Sequence, residues 1–186
     1  MPPLAKNLLL RYPIGVPMTQ QEFDAKYPLI MGWIQQTLEA HATKAVTVAS
    51  LGFQRLPEYF SPELLANAKV VYVDVVPAPP LSQIGLKQFA DFENMNMAGI
   101  TLLDTFFARQ DAQNSEALHF HELVHIVQWK LLGAKAFIAA YAEWLERFGY
   151  RNSPLETMAY DAQANFEKSS QPFDVEKLVK SKLRFS

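Results

Sequence analysis

The chain contains no cysteine among its 186 residues. Disulfide staples and thiolate metal ligands are therefore excluded, and a reducing, cytoplasmic setting is the expectation. Long apolar runs are also missing: none approaches the roughly 18 residues of a membrane span. Met1–Arg11 is apolar for only a few residues and lacks the core and cleavage site of a signal peptide. No membrane partner is expected. Lys and Arg total 17 against 19 Asp and Glu, a net charge of −2. That balance leaves no basic stripe and argues against nucleic-acid partners. Internal repeats and low-complexity tracts are absent as well. With 49 % hydrophobic and 19 % charged residues, the chain reads as one soluble α+β domain over 1–186 with an independent core.

Histidine is scarce too, yet three of the 4 fall within His119-Phe-His-Glu-Leu-Val-His125. His121, Glu122 and His125 form an H-E-x-x-H motif. On a helix, residues four apart project from one face, a turn apart. Both imidazoles can then reach one Zn²⁺ at about 2.0–2.1 Å. Glu122, rotated about 100° from His121, is placed to act on a water held by that ion as a general base. The surroundings, Ala117 to Trp129, are apolar on every face, as expected of a buried helix in which polar side chains require partners. His119 points to another face and is expected at the helix surface or behind the ligands, not on the same metal. His41 stands alone.

A catalytic zinc site keeps three protein ligands and one open position. The pattern with a third histidine is ruled out, because Gln128 and Leu131 stand where it requires Gly and His. Without cysteine, the third ligand is a carboxylate, and Glu143, Glu146, Glu156, Asp161 and Glu167 are the candidates. Gly133 and Gly149 delimit a second helix, Ala134 to Phe148, with Glu143 and Glu146 on or near its water-facing side. Ser153-Pro154-Leu-Glu156 opens a third helix. Glu156 there is either a ligand or the return half of a capping box with Ser153; spacing alone does not choose.

The segment from His121 to Ala162 resembles uncharacterised bacterial zincin-like proteins akin to small metallopeptidases of the gluzincin type. The resemblance is carried by His121-Glu-Leu-Val-His-Ile-Val-Gln128, Leu-Leu-Gly133, Tyr141, Gly149-Tyr-Arg-Asn-Ser-Pro-Leu-Glu156 and Ala159-Tyr-Asp161. Met97-Ala-Gly-Ile-Thr-Leu-Leu-Asp-Thr-Phe106 and Ser61-Pro-Glu-Leu-Leu65 extend it to roughly residues 60–168. It implies Glu156 as third ligand and a zincin-like fold, in which a small sheet of about three strands packs on the motif helix and further helices. Larger gluzincins place an Asp four residues after the ligand Glu, to hold the first His. Here Tyr160 occupies that position and Asp161 lies one residue late. Either Tyr160 takes over the support of His121 or Asp161 reaches in from an altered angle, and Tyr160 is also a candidate donor to a substrate oxyanion.

Upstream, Thr19-Gln-Gln-Glu22 is a capping box opening a helix over about 20–42, with Pro28 as a kink or break. The part before residue 60 is expected to be largely helical, the zinc segments covering 119–162. Ala45–Ala49 predicts a short strand and Ser61-Pro62 a helix to about Ala66. Lys69–Val76 predicts a central strand stopped by Pro77, and the stretch to Pro80 a rigid connector. Ile100–Phe107 predicts one more strand, whose free edge would accept an extended peptide substrate. Asn94–Met97 reads as a loop. Asn114 or Ser115 caps the motif helix.

These expectations converge on a zinc-dependent metallopeptidase acting on a peptide or protein substrate, with a single Zn²⁺ lowering the pKa of its water to about 7. Its ligands must be neutral, so activity is expected to collapse in mild acid. The alternatives are a zincin-like recognition module that binds zinc without turnover and a metal-free helical binding protein. Oligomeric state is not specified by the sequence.

Overall fold

The protein is described by a computed structural model covering residues 18–169 and 171–185; Met1–Arg11, read above for a leader, lies outside the described residues. Helix α1 (Gln20–His41) starts on the anticipated capping box, with Glu22 N–H donating to Thr19 Oγ1 at 3.2 Å and Thr19 N–H to Glu22 Oε2 at 2.8 Å. It continues through Pro28 without a break. Strand β1 is only Val46–Thr47, shorter than expected. Ser61 caps α2 (Pro62–Asn67), which feeds β2 (Lys69–Val73). A connector carrying the single-turn helix α3 (Ala90–Glu93) follows.

The stretch expected as one strand over 100–107 is a hairpin, β3 (Gly99–Leu102) and β4 (Thr105–Arg109), with Leu102 opposite Thr105. Its two-residue turn places Leu103 at φ 62°, without the Asn-Gly or Asp-Gly that advertises such a turn. The sheet therefore has four strands rather than about three, in the order β1-β2-β4-β3. It is mixed, because β2 and β4 run parallel while the outer pairs are antiparallel. Strand β3, not a strand reaching Phe107, forms the edge.

Alternate residues of a strand face opposite sides, and the aromatic contacts identify what each side meets. Phe106 packs on His119 of α4 (Glu116–Leu132), and Phe107 packs on His41 of α1. The register puts Gly99, Thr101, Val70 and Tyr72 on the α4 side with Phe106. Helix α4, capped by Ser115, is buried without interruption from His119 to Trp129. Gly133 and Gly149, at φ 75° and 70°, bracket α5 (Ala134–Phe148), and Ser153 caps α6 (Pro154–Lys168). Helix α6 makes the most extensive helix contact of α4. A last helix, α7 (Val175–Phe185), also packs on α4; the sequence reading did not anticipate it. The result is an α+β architecture of seven α-helices and one four-stranded sheet among the described residues. No single described helix is long and apolar enough to cross a membrane; α4 and α5 pass such a test only as a pair bent by 119°.

Phe120, fully buried, stacks on Phe166 of α6 with centroids 4.5 Å apart and meets Tyr59 and Phe60 edge-on. Phe120→Ala is expected to lower the unfolding free energy by about 3–5 kcal/mol. The partly exposed Leu131→Ala should change it by only about 0.5 kcal/mol or less. Urea unfolding of the two variants checks this.

Candidate metal centre

Helices α4 and α6 bring His121, His125 and Glu156 together in a buried cluster that could hold a metal ion. The imidazole Nε2 atoms lie 3.1 Å apart. Glu156 Oε2 is 3.5 Å from His121 Nε2, and Glu156 Oε1 is 3.3 Å from His125 Nε2. The three residues are 4 %, 5 % and 2 % exposed.

Each imidazole is oriented by a glutamine. His125 Nδ1–H donates to Gln128 Oε1 at 2.8 Å, and the other end of that amide donates to the Leu155 carbonyl at 3.0 Å. His121 Nδ1–H donates to Gln163 Oε1 at 3.1 Å, while Gln163 Nε2 donates to Glu167 at 3.3 Å. Those onward bonds fix which end of each amide faces its ring. Both Nε2 lone pairs therefore point into the cluster, the tautomer a metal requires. Two lone pairs and a carboxylate converging in a dry interior repel unless a cation or a proton stands among them.

The capping-box alternative for Glu156 is only half formed. Ser153 Oγ accepts from Glu156 N–H at 3.4 Å, but Ser153 N–H goes to the Tyr150 carbonyl. The carboxylate instead turns inward, where Tyr141 O–H donates to Oε1 at 2.8 Å. Glu156 Oε2 is buried without a hydrogen-bond partner among the described residues. A carboxylate that faces two imidazole nitrogens, with one oxygen orphaned, fits a divalent cation. Burial raises the Glu156 pKa, but His125 and His121 beside it outweigh this and hold it well below the usual carboxylate range. Tyr141, buried and facing that charge, is pushed well above its ordinary pKa and stays a donor.

Glu122 stands in a different setting. Burial raises its pKa, and the two histidines offset this only in part. Thr101 O–H lies 2.7 Å from Glu122 Oε2 and 3.1 Å from the Glu122 carbonyl. Beside it, a Cβ on Gly99 would come within 2.5 Å of Glu122 Oε1 and 3.2 Å of the Phe107 carbonyl. Gly99 is thus the residue that admits the carboxylate against the sheet.

The remaining candidates are not brought to the cluster. Asp161 is exposed and lies 3.8 Å from Lys182, so Asp161 does not support His121. Tyr160 does not hold the His121 nitrogen either. Its ring packs on the His121 ring at 4.5 Å, and Arg151 covers it at 4.4 Å. The role expected of those two falls to Gln163, two turns beyond Glu156 on the same helical face. Glu143 is not water-facing as expected: its side chain is 11 % exposed and pairs with Arg147 at 3.0 Å. Glu167 contacts Gln163 rather than the cluster. His119 is fully buried, not at the surface; it meets the Ser115 carbonyl and the Tyr72 hydroxyl, each at 2.8 Å. Sequence reasoning missed Gly99, Thr101, Gln128, Gln163, Tyr141 and Tyr150 as parts of the site. A usable signal existed for Gln128, an amide inside an all-apolar helix three residues after a ligand.

Comparison with protein-family models, with curated proteins and with solved structures finds no match.

Burial disfavours charge on His125, but Glu156 beside it prevails and lifts its pKa to about 9. In the metal-free protein His125 is therefore protonated below that pH, and a metal must displace the proton. Apparent metal affinity should climb roughly tenfold per pH unit from neutrality until pH reaches about 9, then level off. Calorimetric titration in buffers of differing ionisation enthalpy should show about one proton released per metal at pH 7.

Proposed function

We propose that the chain is a zinc-dependent hydrolase of peptide or amide bonds, with His121, His125 and Glu156 as ligands and Glu122 as general base. The convergence of the ligand atoms carries this reading. The two Nε2 atoms are 3.1 Å apart, and the Glu156 carboxylate reaches His125 through Oε1 at 3.3 Å and His121 through Oε2 at 3.5 Å, spacings close to the edges of about 3.3–3.4 Å of a tetrahedral site with bonds of about 2.0–2.1 Å. Two imidazole nitrogens and a carboxylate, with a fourth position free for water, form the donor set of a catalytic zinc site. The resemblance of His121–Ala162 to gluzincin-type metallopeptidases supports the same assignment, and with it a zincin-like reading of the fold.

When bound, Zn²⁺ supplies Lewis acidity that polarises a scissile carbonyl and lowers the pKa of water to about 7. The chain supplies the proton handling. Thr101 occupies Glu122 Oε2, which leaves Oε1 to take a proton from water and pass it to the leaving amine. The pKa of Glu122, raised by burial, strengthens it as a base at neutral pH. Tyr150 lines the cavity beside the centre and Tyr160 does not, which favours Tyr150 over Tyr160 as the donor to a substrate oxygen.

The near-complete burial of the centre favours one other reading, a recognition module that binds zinc without turnover. Elemental analysis together with cleavage of a mixed peptide and amide library separates the two. Glu122→Gln should keep its zinc while turnover falls by about 10²–10⁴, and Glu156→Ala should lose zinc affinity. Zinc without cleavage in the wild type would leave the recognition module standing; absence of zinc would remove both readings.

Gly99 offers an independent check. Gly99→Ala should displace the Glu122 carboxylate and cost roughly tenfold or more in turnover, with zinc affinity unchanged. In a Glu122→Asp background, whose shorter side chain retreats from the new methyl, the same substitution should add little further loss. Additive losses would mean that Gly99 acts on the fold rather than on Glu122.

A further inference from the structure

Beside the metal centre lies a cavity of about 120 Å³ whose walls are almost wholly apolar. Trp33 and Ile34 of α1, Leu86 and Phe89 of the connector, and Ile138 and Leu145 of α5 supply much of its surface. The ionisable side chains that reach it are Glu122, His125, Tyr141, Tyr150 and Glu156, the groups already gathered at the centre. A ligand filling this space must therefore put its one polar end at the metal and an uncharged body into the cavity. An apolar cavity of about 150 Å³ in another protein holds a single benzene ring, which sets the size of the body.

The edge of β3 is poorly suited to an extended chain. The Thr101 carbonyl accepts from Trp129 Nε1 at 3.2 Å, and that indole is locked by stacking on Phe137 with centroids 3.9 Å apart. A peptide adding itself as a fifth strand would lose this acceptor in the middle of the four-residue edge. Over the cavity, α1 is tied to the connector through Lys26 Nζ and the Ile84 carbonyl at 2.5 Å, and to α5 through Asp24 and Lys135 at 2.7 Å. Described residues of α1, the connector and α5 thus wall the space beyond the centre.

From these observations, and resting on the zinc reading above, we infer that the substrate is a compact amide bearing one apolar group the size of a leucine side chain or a single ring. A polypeptide threaded along β3 is not its substrate.

Hydroxamates, which combine a metal-binding head with a chosen tail, test this without requiring turnover. Binding to the zinc-loaded protein is measured by calorimetry for the straight-chain series from acetohydroxamate to octanohydroxamate. Affinity should rise by about fourfold per methylene and then stop as the cavity fills. A terminal carboxylate on the best chain should remove most of that gain. Ala142→Phe, which narrows the cavity from α5, should cut the gain from chain length roughly tenfold while acetohydroxamate and zinc bind as before; Ala142→Leu is a milder second variant with the same expected direction. Equal affinity along the series, or no binding of any hydroxamate to the zinc-loaded protein, would overturn the inference. A protein that takes up no zinc fails at the earlier step, before any hydroxamate is added, and so overturns the centre itself together with what rests on it.

Discussion

A carboxylate facing two imidazole lone pairs inside a protein requires positive charge between them. Glu156 is 2 % exposed, sits within 3.5 Å of both Nε2 atoms and leaves one oxygen without a hydrogen bond. Three features offset the cost of burying that charge. It lies in the first turn of α6, where the helix dipole is positive; Tyr141 donates to it; and a cation or a proton on His125 completes the balance. The docking of α6 on α4 is consequently linked to the occupancy of the centre. Gln128 makes the linkage mechanical, since a single amide holds His125 with one end and the α6 backbone at Leu155 with the other.

Two carboxylates in one buried neighbourhood have been pushed in opposite directions. Glu156 is held low by the imidazoles, while Glu122 is raised by burial against the sheet. Such a divergence is how one site assigns two chemically identical groups to different tasks, one a permanent anion and the other a proton carrier. The geometry behind it is one of register. Gly99 and Thr101 share the α4 face of β3, one giving room to the Glu122 carboxylate and the other a hydrogen bond. Shifting the strand by one residue would present Ile100 and Leu102 instead.

Glu156, at a capped helix start, was singled out from the other carboxylates by resemblance and not by spacing, whereas His121 and His125 were legible in the sequence because their spacing is local, a turn apart. Buried packing on all sides of α4 was legible for the same reason. What could not be read was whatever depended on tertiary partners. The hairpin at Leu103-Asp104 lacks the Asn-Gly or Asp-Gly pair that signals such a turn and holds a leucine at φ 62°, a conformation that side-chain type alone does not suggest. The support for His121 came from Gln163, not from Tyr160 or Asp161, because the crossing of α4 and α6 decides which residue on that face reaches the ring. Glu143 looked solvent-facing by periodicity but is covered and paired with Arg147. Helix α7 was not anticipated, although its segment is strongly amphipathic and has to dock to bury its apolar face.

Enclosure and reactivity at this centre follow from the same arrangement. Excluding water lowers the local dielectric, which strengthens every charge interaction inside and raises Glu122 as a base. It also means that a charged group could enter only by giving up its hydration, so the affinity available to a ligand comes from apolar surface. The elements that wall the centre, α4, α6 and β3, belong to the continuous core, and α1 and the connector join that core through Phe23, Ile34, Leu81, Leu86, Phe89 and Phe92, besides their surface contacts. One of these, Asp24 with Lys135, joins side chains 46 % and 59 % exposed, where solvent screens the pair. Helix α1 and the connector are therefore held over the cavity by apolar packing more than by these ties, and any ligand in the cavity meets that same apolar surface.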